Sequence, residues 1–162
     1  MVTELDIVLR LLLAVLFGAV IGFEREVHLR PAGLRTHILV CMGAALFTIS
    51  SLSIGGPDDP ARIAAGIVTG IGFLGAGAIF HFKDHTIGLT TAADLWVVAA
   101  IGLATGAGYF FAGAVATFLV WLTLFGGEKL KTRIDQKALA EGRETPEKEL
   151  NISEGGFNKE DN

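Results

Sequence analysis

The chain has 162 residues, of which 51% are hydrophobic, and its mean hydropathy is +0.55. This length fits one domain, and this composition is typical of membrane proteins rather than of soluble enzymes. The formal net charge is −4, and the sequence has no basic patch that would indicate binding to DNA or RNA.

Five apolar runs are long enough, or nearly so, to supply the roughly 20 residues that a helix needs to cross the hydrocarbon core of a membrane. They predict an all-α polytopic membrane helix bundle with about five transmembrane helices. The predicted spans are residues 5–23, 36–54, 61–82, 88–106 and 108–126. The last two are joined only by a short turn rich in glycine, which favours a tight antiparallel hairpin.

Positive residues predict the orientation, because arginine and lysine are retained on the cytoplasmic side. Arg25, Arg30 and Arg35 lie in the first loop, Lys83 lies in the third, and seven more Lys and Arg residues follow from position 129. Only Arg62 lies beside an opposite loop. We therefore expect the N-terminus outside and the C-terminus in the cytoplasm.

The composition changes after Gly127, where charged residues become dense and large apolar residues become scarce. Residues 1–127 are therefore predicted to form the transmembrane domain, and residues 128–162 a charged cytoplasmic tail that is mostly disordered. Within that tail, residues 129–139 are compatible with a helix at the membrane surface.

Charged residues near the ends of the first and second spans are candidates for a polar site. Arg10 lies one turn after Asp6 and can pair with it. Arg25 needs no role beyond anchoring the topology, whereas Glu24 and Arg35 each adjoin an apolar run, at a depth where an unpaired charge is costly.

The third span contains many glycines, and glycine allows membrane helices to approach one another closely. The same small-xxx-small spacing occurs at Gly18/Gly22 and at Gly102/Gly106. We expect the glycines of the third span to pack helices within the chain and to place that span at the centre of the bundle, with a homo-oligomer interface as the alternative. These packing residues are Gly66, Gly70, Gly72, Gly75 and Gly77.

The fourth span begins with a polar face that contains Thr90, Thr91 and Asp94. An aspartate near the start of a span usually faces the bundle interior and has a partner. Arg35 is the first candidate for that partner, and the pair is either structural or part of an ion-binding or partner-sensing site. The predicted functional polar cluster thus comprises Glu24, Arg25, Arg35, Thr36, Thr90, Thr91 and Asp94.

Catalytic machinery is not visible in the sequence. There is no Ser/His/Asp arrangement, phosphate-binding loop or zinc-protease helix, so we expect neither enzymatic activity nor a cofactor. Cys41 is the only cysteine, which excludes an intrachain disulfide. His81, Asp84 and His85 are weak evidence for metal binding, so whether the chain binds a metal stays undetermined.

Four short motifs carry a resemblance to a known family. Their order and spacing, over roughly residues 11–125, resemble the MgtC/SapB family of bacterial inner-membrane proteins. The motifs are residues 22–26 (GFERE), 32–37 (AGLRTH), 70–77 (GIGFLGAG) and 88–93 (GLTTAA), the last followed by Trp96.

This resemblance implies a multi-pass protein of the bacterial inner membrane that is linked to magnesium limitation and, in pathogens, to survival inside host cells. The best-known members are thought to act on the F-type ATP synthase rather than to move magnesium. Those members carry a folded cytoplasmic C-terminal domain, so this chain, with its short charged tail, is similar to the shorter SapB-like branch.

Two functions therefore stay open at this point. The first is a non-enzymatic regulator that binds another membrane complex, such as the ATP synthase, from within the lipid bilayer. The second is a small cation or proton transporter or channel, either monomeric or homo-oligomeric, that uses Asp94 as its ion-binding carboxylate.

Overall fold

The computed structural model describes residues 3–54, 61–82 and 86–140 and shows a bundle of five helices. Two short strands pair antiparallel between the third and fourth helices, with Phe80 opposite Ile87. The elements are α1 (Glu4–Val27), α2 (Leu34–Ile54), α3 (Ala61–Gly77), β1 (Phe80–His81), β2 (Thr86–Ile87), α4 (Leu89–Gly106) and α5 (Phe110–Ala140).

Four of the described helices are long and apolar enough to cross a membrane, namely α1, α2, α4 and α5. The prediction of an all-α membrane helix bundle is thereby confirmed. Helices suit this setting because they satisfy every backbone hydrogen bond internally, where no water can do so.

The third predicted span, residues 61–82, is wrong in its extent. Helix α3 has 17 residues and ends at Gly77, after which the chain enters the β1–β2 hairpin. At 1.5 Å per residue α3 is about 25 Å long, somewhat shorter than the hydrocarbon core of about 30 Å. Glycines close to its end weaken the helix there, because glycine loses the most backbone entropy on folding.

Contacts between helix ends establish the relative direction of α1 and α4. Arg25, at the end of α1, contacts Asp94, near the start of α4, while Arg10 near the start of α1 contacts Gly106 at the end of α4. Helices α1 and α4 therefore run antiparallel. The orientation of the bundle relative to the cytoplasm stays a prediction.

Glycines bring α2 close to both α1 and α4. An added Cβ at Gly18 would lie 2.7 Å from the carbonyl oxygen of His37, and one at Gly106 would lie 2.5 Å from that of Ala45. These distances are too short for any real side chain. The predicted packing within the chain at the Gly18/Gly22 and Gly102/Gly106 motifs is confirmed.

The glycines of α3 behave differently, and their predicted role in packing within the chain is wrong for four of the five. An added Cβ would meet no neighbouring atom within 4 Å at these positions, and only at Gly75 would it contact another helix, at Ala92. Helix α3 packs along α4 at the side of the bundle rather than at its centre. The four open glycines are Gly66, Gly70, Gly72 and Gly77.

Arg10 joins α1 to the end of α4, at the end of the bundle opposite the Arg25–Asp94 contact. Its guanidinium lies 2.8 Å from the Asp6 carboxylate, as predicted, and donates a 2.6 Å hydrogen bond to the carbonyl oxygen of Gly106. Carbonyl groups in the last turn of a helix lack partners within the helix and attract cations. Arg10 therefore holds the end of α4 against α1.

Replacing Arg10 with methionine should lower the free energy of unfolding by about 1–2 kcal/mol, because the end of α4 would lose a charged donor in a partly buried site. Unfolding of the purified protein in detergent, followed by circular dichroism, measures this change. The same substitution at exposed Arg35 is the matched control. Equal losses in the two variants would contradict this role for Arg10.

The turn between α4 and α5 is tight, as predicted. Gly108 adopts a left-handed conformation with φ of +91°, and an added Cβ at Gly113 would lie 3.0 Å from the Thr105 hydroxyl. The chain divides into two compact units, of which the first ends at Leu122 and the second begins at Thr123.

Residues 129–139 are helical, as predicted, because α5 continues to Ala140. The rest of the predicted tail, residues 141–162, lies outside the described residues, as do residues 55–60 and 83–85. The domain boundary at residue 127 stays a prediction.

Candidate functional site

The candidate site begins where the buried face of α1 ends in a charged residue. Buried residues on this helix follow helical spacing, with Gly18, Ile21 and Gly22 directed toward the other helices. Arg25 lies four residues after Ile21 and three after Gly22, so it continues the same face. Its side chain is 4% exposed, which places a permanent positive charge inside the bundle.

Asp94 on α4 is the partner of Arg25. The guanidinium Nε lies 2.8 Å from a carboxylate oxygen of Asp94, whose side chain is 3% exposed. Thr91, one turn earlier on α4, accepts a 3.5 Å hydrogen bond from the same guanidinium. An ion pair with so little solvent is costly to break, because the remaining charge would stay buried alone.

The expectation that Arg35 pairs with Asp94 is wrong. Arg35 is exposed, although it belongs to the same predicted loop as Arg25. The reason is helical phase: on α2 the buried face contains His37, Cys41 and Ala44, and a residue two positions before His37 points to nearly the opposite side.

Glu24 forms a second part of the buried cluster. One of its carboxylate oxygens lies 3.8 Å from the Arg25 guanidinium, and the other lies 3.1 Å from Nδ1 of His28, one turn later on α1. His28 is one-third exposed, whereas Glu24 is buried. His28 thus lies between a buried carboxylate and the surface of the bundle.

His37 completes the cluster from α2, although it is not among the site residues predicted from the sequence. Its ring is fully buried, with Nε2 3.4 Å from Asp94 and Nδ1 2.9 Å from the carbonyl oxygen of Gly33. Nδ1 is thus within hydrogen-bonding distance of a carbonyl acceptor, whereas Nε2 lies near the Asp94 carboxylate without an aligned hydrogen bond. The sequence does contain a sign that His37 is buried. It lies four positions before Cys41, so the two residues share one face of α2.

The contacts of the two buried carboxylates are ionic rather than well-aligned hydrogen bonds. Among the described residues, no donor is aligned with a carboxylate oxygen of Glu24 or Asp94, even where the distance is short. A buried charge that is only partly hydrogen-bonded is expensive to maintain. The cluster is therefore held in place by the packing of the surrounding helices.

Three residues of the predicted polar cluster lie apart from this centre. Arg35 and Thr90 are exposed, and Thr36 is half-buried. Thr36 and Thr91 both line a neighbouring cavity of about 430 Å³ between the first loop and α3. The structure therefore brings together Glu24, Arg25, Thr91 and Asp94 and adds His28 and His37 to them.

Two motif residues support the loops on either side of the cluster. A carboxylate oxygen of Glu26 accepts a 2.9 Å hydrogen bond from the backbone N–H of Leu34, which stabilises the start of α2. Gly88 has a φ of +87°, and an added Cβ there would collide with the carbonyl oxygen of Ala78. Glycine at this position permits α4 to start directly beside the end of α3.

Metal binding by the predicted histidine motif stays a prediction. His81 contacts Thr86 in the hairpin, but Asp84 and His85 lie outside the described residues. Within the part of the chain that the structure describes, no group of three or more His, Cys, Asp or Glu side chains is arranged to hold a metal ion.

Comparisons with known proteins agree with the motifs. The relatives include Protein MgtC of Salmonella typhimurium (strain LT2), which is 50% identical over 113 residues, covering 70% of this chain and 48% of that protein. Protein MgtC of Brucella abortus (strain 2308) is 51% identical over 107 residues, covering 66% of this chain and 45% of that protein. A protein of Escherichia coli (strain K12) with the name "Putative magnesium transporter YhiD" is 43% identical over 141 residues, covering 82% of this chain and 65% of that protein.

The chain spans about half to two thirds of the length of these curated relatives. No solved structure matches it. A sequence model described as the MgtC family matches residues 11–133, which include every residue of the buried cluster. The resemblance seen in the sequence is confirmed, and the chain is a membrane protein that belongs to the MgtC family.

Proposed function

We propose that this protein is a non-enzymatic regulator in the bacterial inner membrane that serves adaptation to magnesium limitation. It acts by contact with another membrane complex, for which the F-type ATP synthase is our first candidate. Membership of the MgtC family and the magnesium-related name of the relative YhiD support the link to magnesium. The four long apolar helices support a site of action within the bilayer.

The observation that carries this proposal is that Asp94 is already paired with Arg25. A transport carboxylate must bind and release its cation, but Asp94 is already neutralised by the guanidinium of Arg25 at 2.8 Å. That positive charge is covalently attached and cannot be exchanged. The cluster therefore suits a structural or conformational role better than a resting ion site.

A transporter is the second candidate, and one observation favours it. The carboxylate oxygens of Glu24 and Asp94 are buried without aligned donors among the described residues. A proton or magnesium ion that entered through the partly exposed His28 would find two carboxylates there once Arg25 moved aside. The name of YhiD is compatible with this candidate as well.

ATP-driven proton pumping in inverted inner-membrane vesicles distinguishes the two candidates. We expect vesicles that contain this protein to pump more slowly than vesicles without it. The proton gradient should then decay at an unchanged rate after ATP hydrolysis is blocked. Faster decay would indicate an ion leak and would favour the transporter.

An Asp94→Asn variant at equal abundance is the control for the role of the cluster. If the protein is a regulator whose cluster maintains its active conformation, this variant should lose the effect on pumping while the decay rate stays as in empty vesicles. Unchanged pumping with the intact protein would contradict the ATP synthase as its partner.

A further inference from the structure

The β1–β2 hairpin has one apolar face and one polar face. Phe80 lies opposite Ile87, and His81 lies opposite Thr86. Because successive side chains of a strand point to opposite faces, the first pair shares one face of the hairpin and the second pair shares the other. On the polar face, Nδ1 of His81 lies 3.0 Å from the hydroxyl oxygen of Thr86. The hairpin is therefore amphipathic.

The apolar face of the hairpin is open within the described part of the chain. The side chains of Phe80 and Ile87 are both substantially exposed, at 54% and 44% respectively. A two-stranded hairpin is at best marginally stable in water, so its stability depends on what lies against its faces. An apolar surrounding on the side of Phe80 and Ile87 would stabilise it.

The lengths of the adjoining helices determine the depth of the hairpin in the membrane. Helix α3, before β1, has 17 residues, and α4, after β2, has 18. At 1.5 Å per residue they are about 25 and 27 Å long, slightly less than the hydrocarbon core of about 30 Å. Helix α4, a candidate span, must therefore use its whole length to cross. The hairpin, which ends two residues before α4 begins, lies at the edge of the hydrocarbon core.

Two further features keep the hairpin at that depth. An added Cβ at Gly88 would collide with the carbonyl oxygen of Ala78, so the chain leaves α3 and enters α4 at nearly the same point. The described sheet has only two strands, and open sheet edges do not occur within the hydrocarbon core. Its edges favour contact with water, whereas its apolar face favours contact with lipid. Both conditions are met at the boundary between head groups and acyl chains.

We propose that the β1–β2 hairpin lies flat at this boundary and binds the bilayer surface through Phe80 and Ile87. These two side chains enter the outer part of the acyl region, while His81 and Thr86 face the head groups and water. Amphipathic helices at the same boundary bury their apolar face by about 5–10 Å, and we expect a similar depth here. The partner of this face is thus the lipid bilayer rather than another protein.

Tryptophan fluorescence of the full-length protein in lipid vesicles tests this proposal. The vesicles contain phosphatidylcholine and phosphatidylglycerol, and bromine atoms at defined positions of the acyl chains quench an indole according to its depth. Trp96 and Trp121, the two tryptophans of the chain, are first replaced with phenylalanine. The same variants with both natural tryptophans retained, compared with the unmodified protein, give the contrast by difference.

Four single variants measure the two faces of the hairpin. Phe80→Trp and Ile87→Trp place an indole on the apolar face, and His81→Trp and Thr86→Trp are the matched controls on the polar face. The first two indoles should lie about 5–10 Å deeper than the two controls, because the two faces point in opposite directions. Iodide in the water should quench the controls more strongly. Circular dichroism and size-exclusion chromatography check that each variant folds.

Three results would overturn the proposal. Equal depths for all four indoles would show that the hairpin does not place one face in lipid. Full access of iodide to Phe80→Trp and Ile87→Trp would show that the apolar face stays in water. Protection of these two from iodide, without quenching by brominated lipid, would show that a protein covers the face. None of these results depends on whether the protein regulates an ATP synthase.

Discussion

Replacing Arg25 with leucine should lower the free energy of unfolding by about 3–5 kcal/mol, the range found when one member of a buried ion pair is removed. Asp94 would then be left in a nearly solvent-free site with no arginine beside it, and the hydroxyl of Thr91 would lose its donor. Unfolding of the purified protein in detergent, followed by circular dichroism, measures the change.

Two further variants make this expectation specific to the pair. The double variant Arg25→Leu with Asp94→Leu removes both members of the pair, and it should regain part of the lost stability because Asp94 is no longer buried without its partner, while Glu24 keeps only its contact with His28. Arg35→Leu, in the same predicted loop, should change stability little, since its side chain is exposed. A loss at Arg35 as large as that at Arg25 would contradict the pairing in the structure.

The helical framework was predictable from the sequence because a membrane span needs a long apolar run whose backbone is satisfied within the helix. The spans predicted at residues 5–23, 36–54 and 88–106 differ by no more than four residues at each end from α1, α2 and α4. The third span was less predictable, because the apolar run continues through β1 and hides the end of α3.

The partner of Asp94 could not be chosen by hydropathy, since Arg25 and Arg35 both lie within two residues of a predicted span. What separates them is the rotation of their helices. Gly18 and Gly22 define the face of α1 that contacts α2, and Arg25 continues it. Small residues rather than hydrophobic ones therefore show which face is buried in this bundle, because the lipid-facing side is apolar as well.

The glycines of α3 show the limit of that argument. A glycine indicates that another backbone or ligand can approach closely, but it does not identify what approaches. At Gly102 the neighbour is α2 of the same chain, whereas at Gly66 and Gly70 the described residues leave the space open. Sequence spacing is the same in both cases, so only the arrangement of the helices distinguishes them.

The same substitution, glycine to alanine, should therefore have opposite effects on stability at Gly102 and at Gly66. Gly102→Ala should lower the free energy of unfolding by about 2–3 kcal/mol, because an overfilled contact forces the backbone to shift. The added methyl group would collide with the carbonyl oxygen of Cys41 and would also lie 3.0 Å from Ala44. Neither α2 nor α4 can move without disturbing its neighbours, since α2 also packs tightly against α1 at Gly18.

Gly66→Ala is the matched control, because it adds the same methyl group to a helical glycine that has nothing within 4 Å. Alanine favours a helix over glycine by about 1 kcal/mol, so this variant should be as stable as the parent or slightly more so. Thermal and detergent-induced unfolding of the two variants, measured side by side, checks both expectations. If Gly66→Ala were destabilised as strongly as Gly102→Ala, α3 would have to pack inside the bundle rather than at its side.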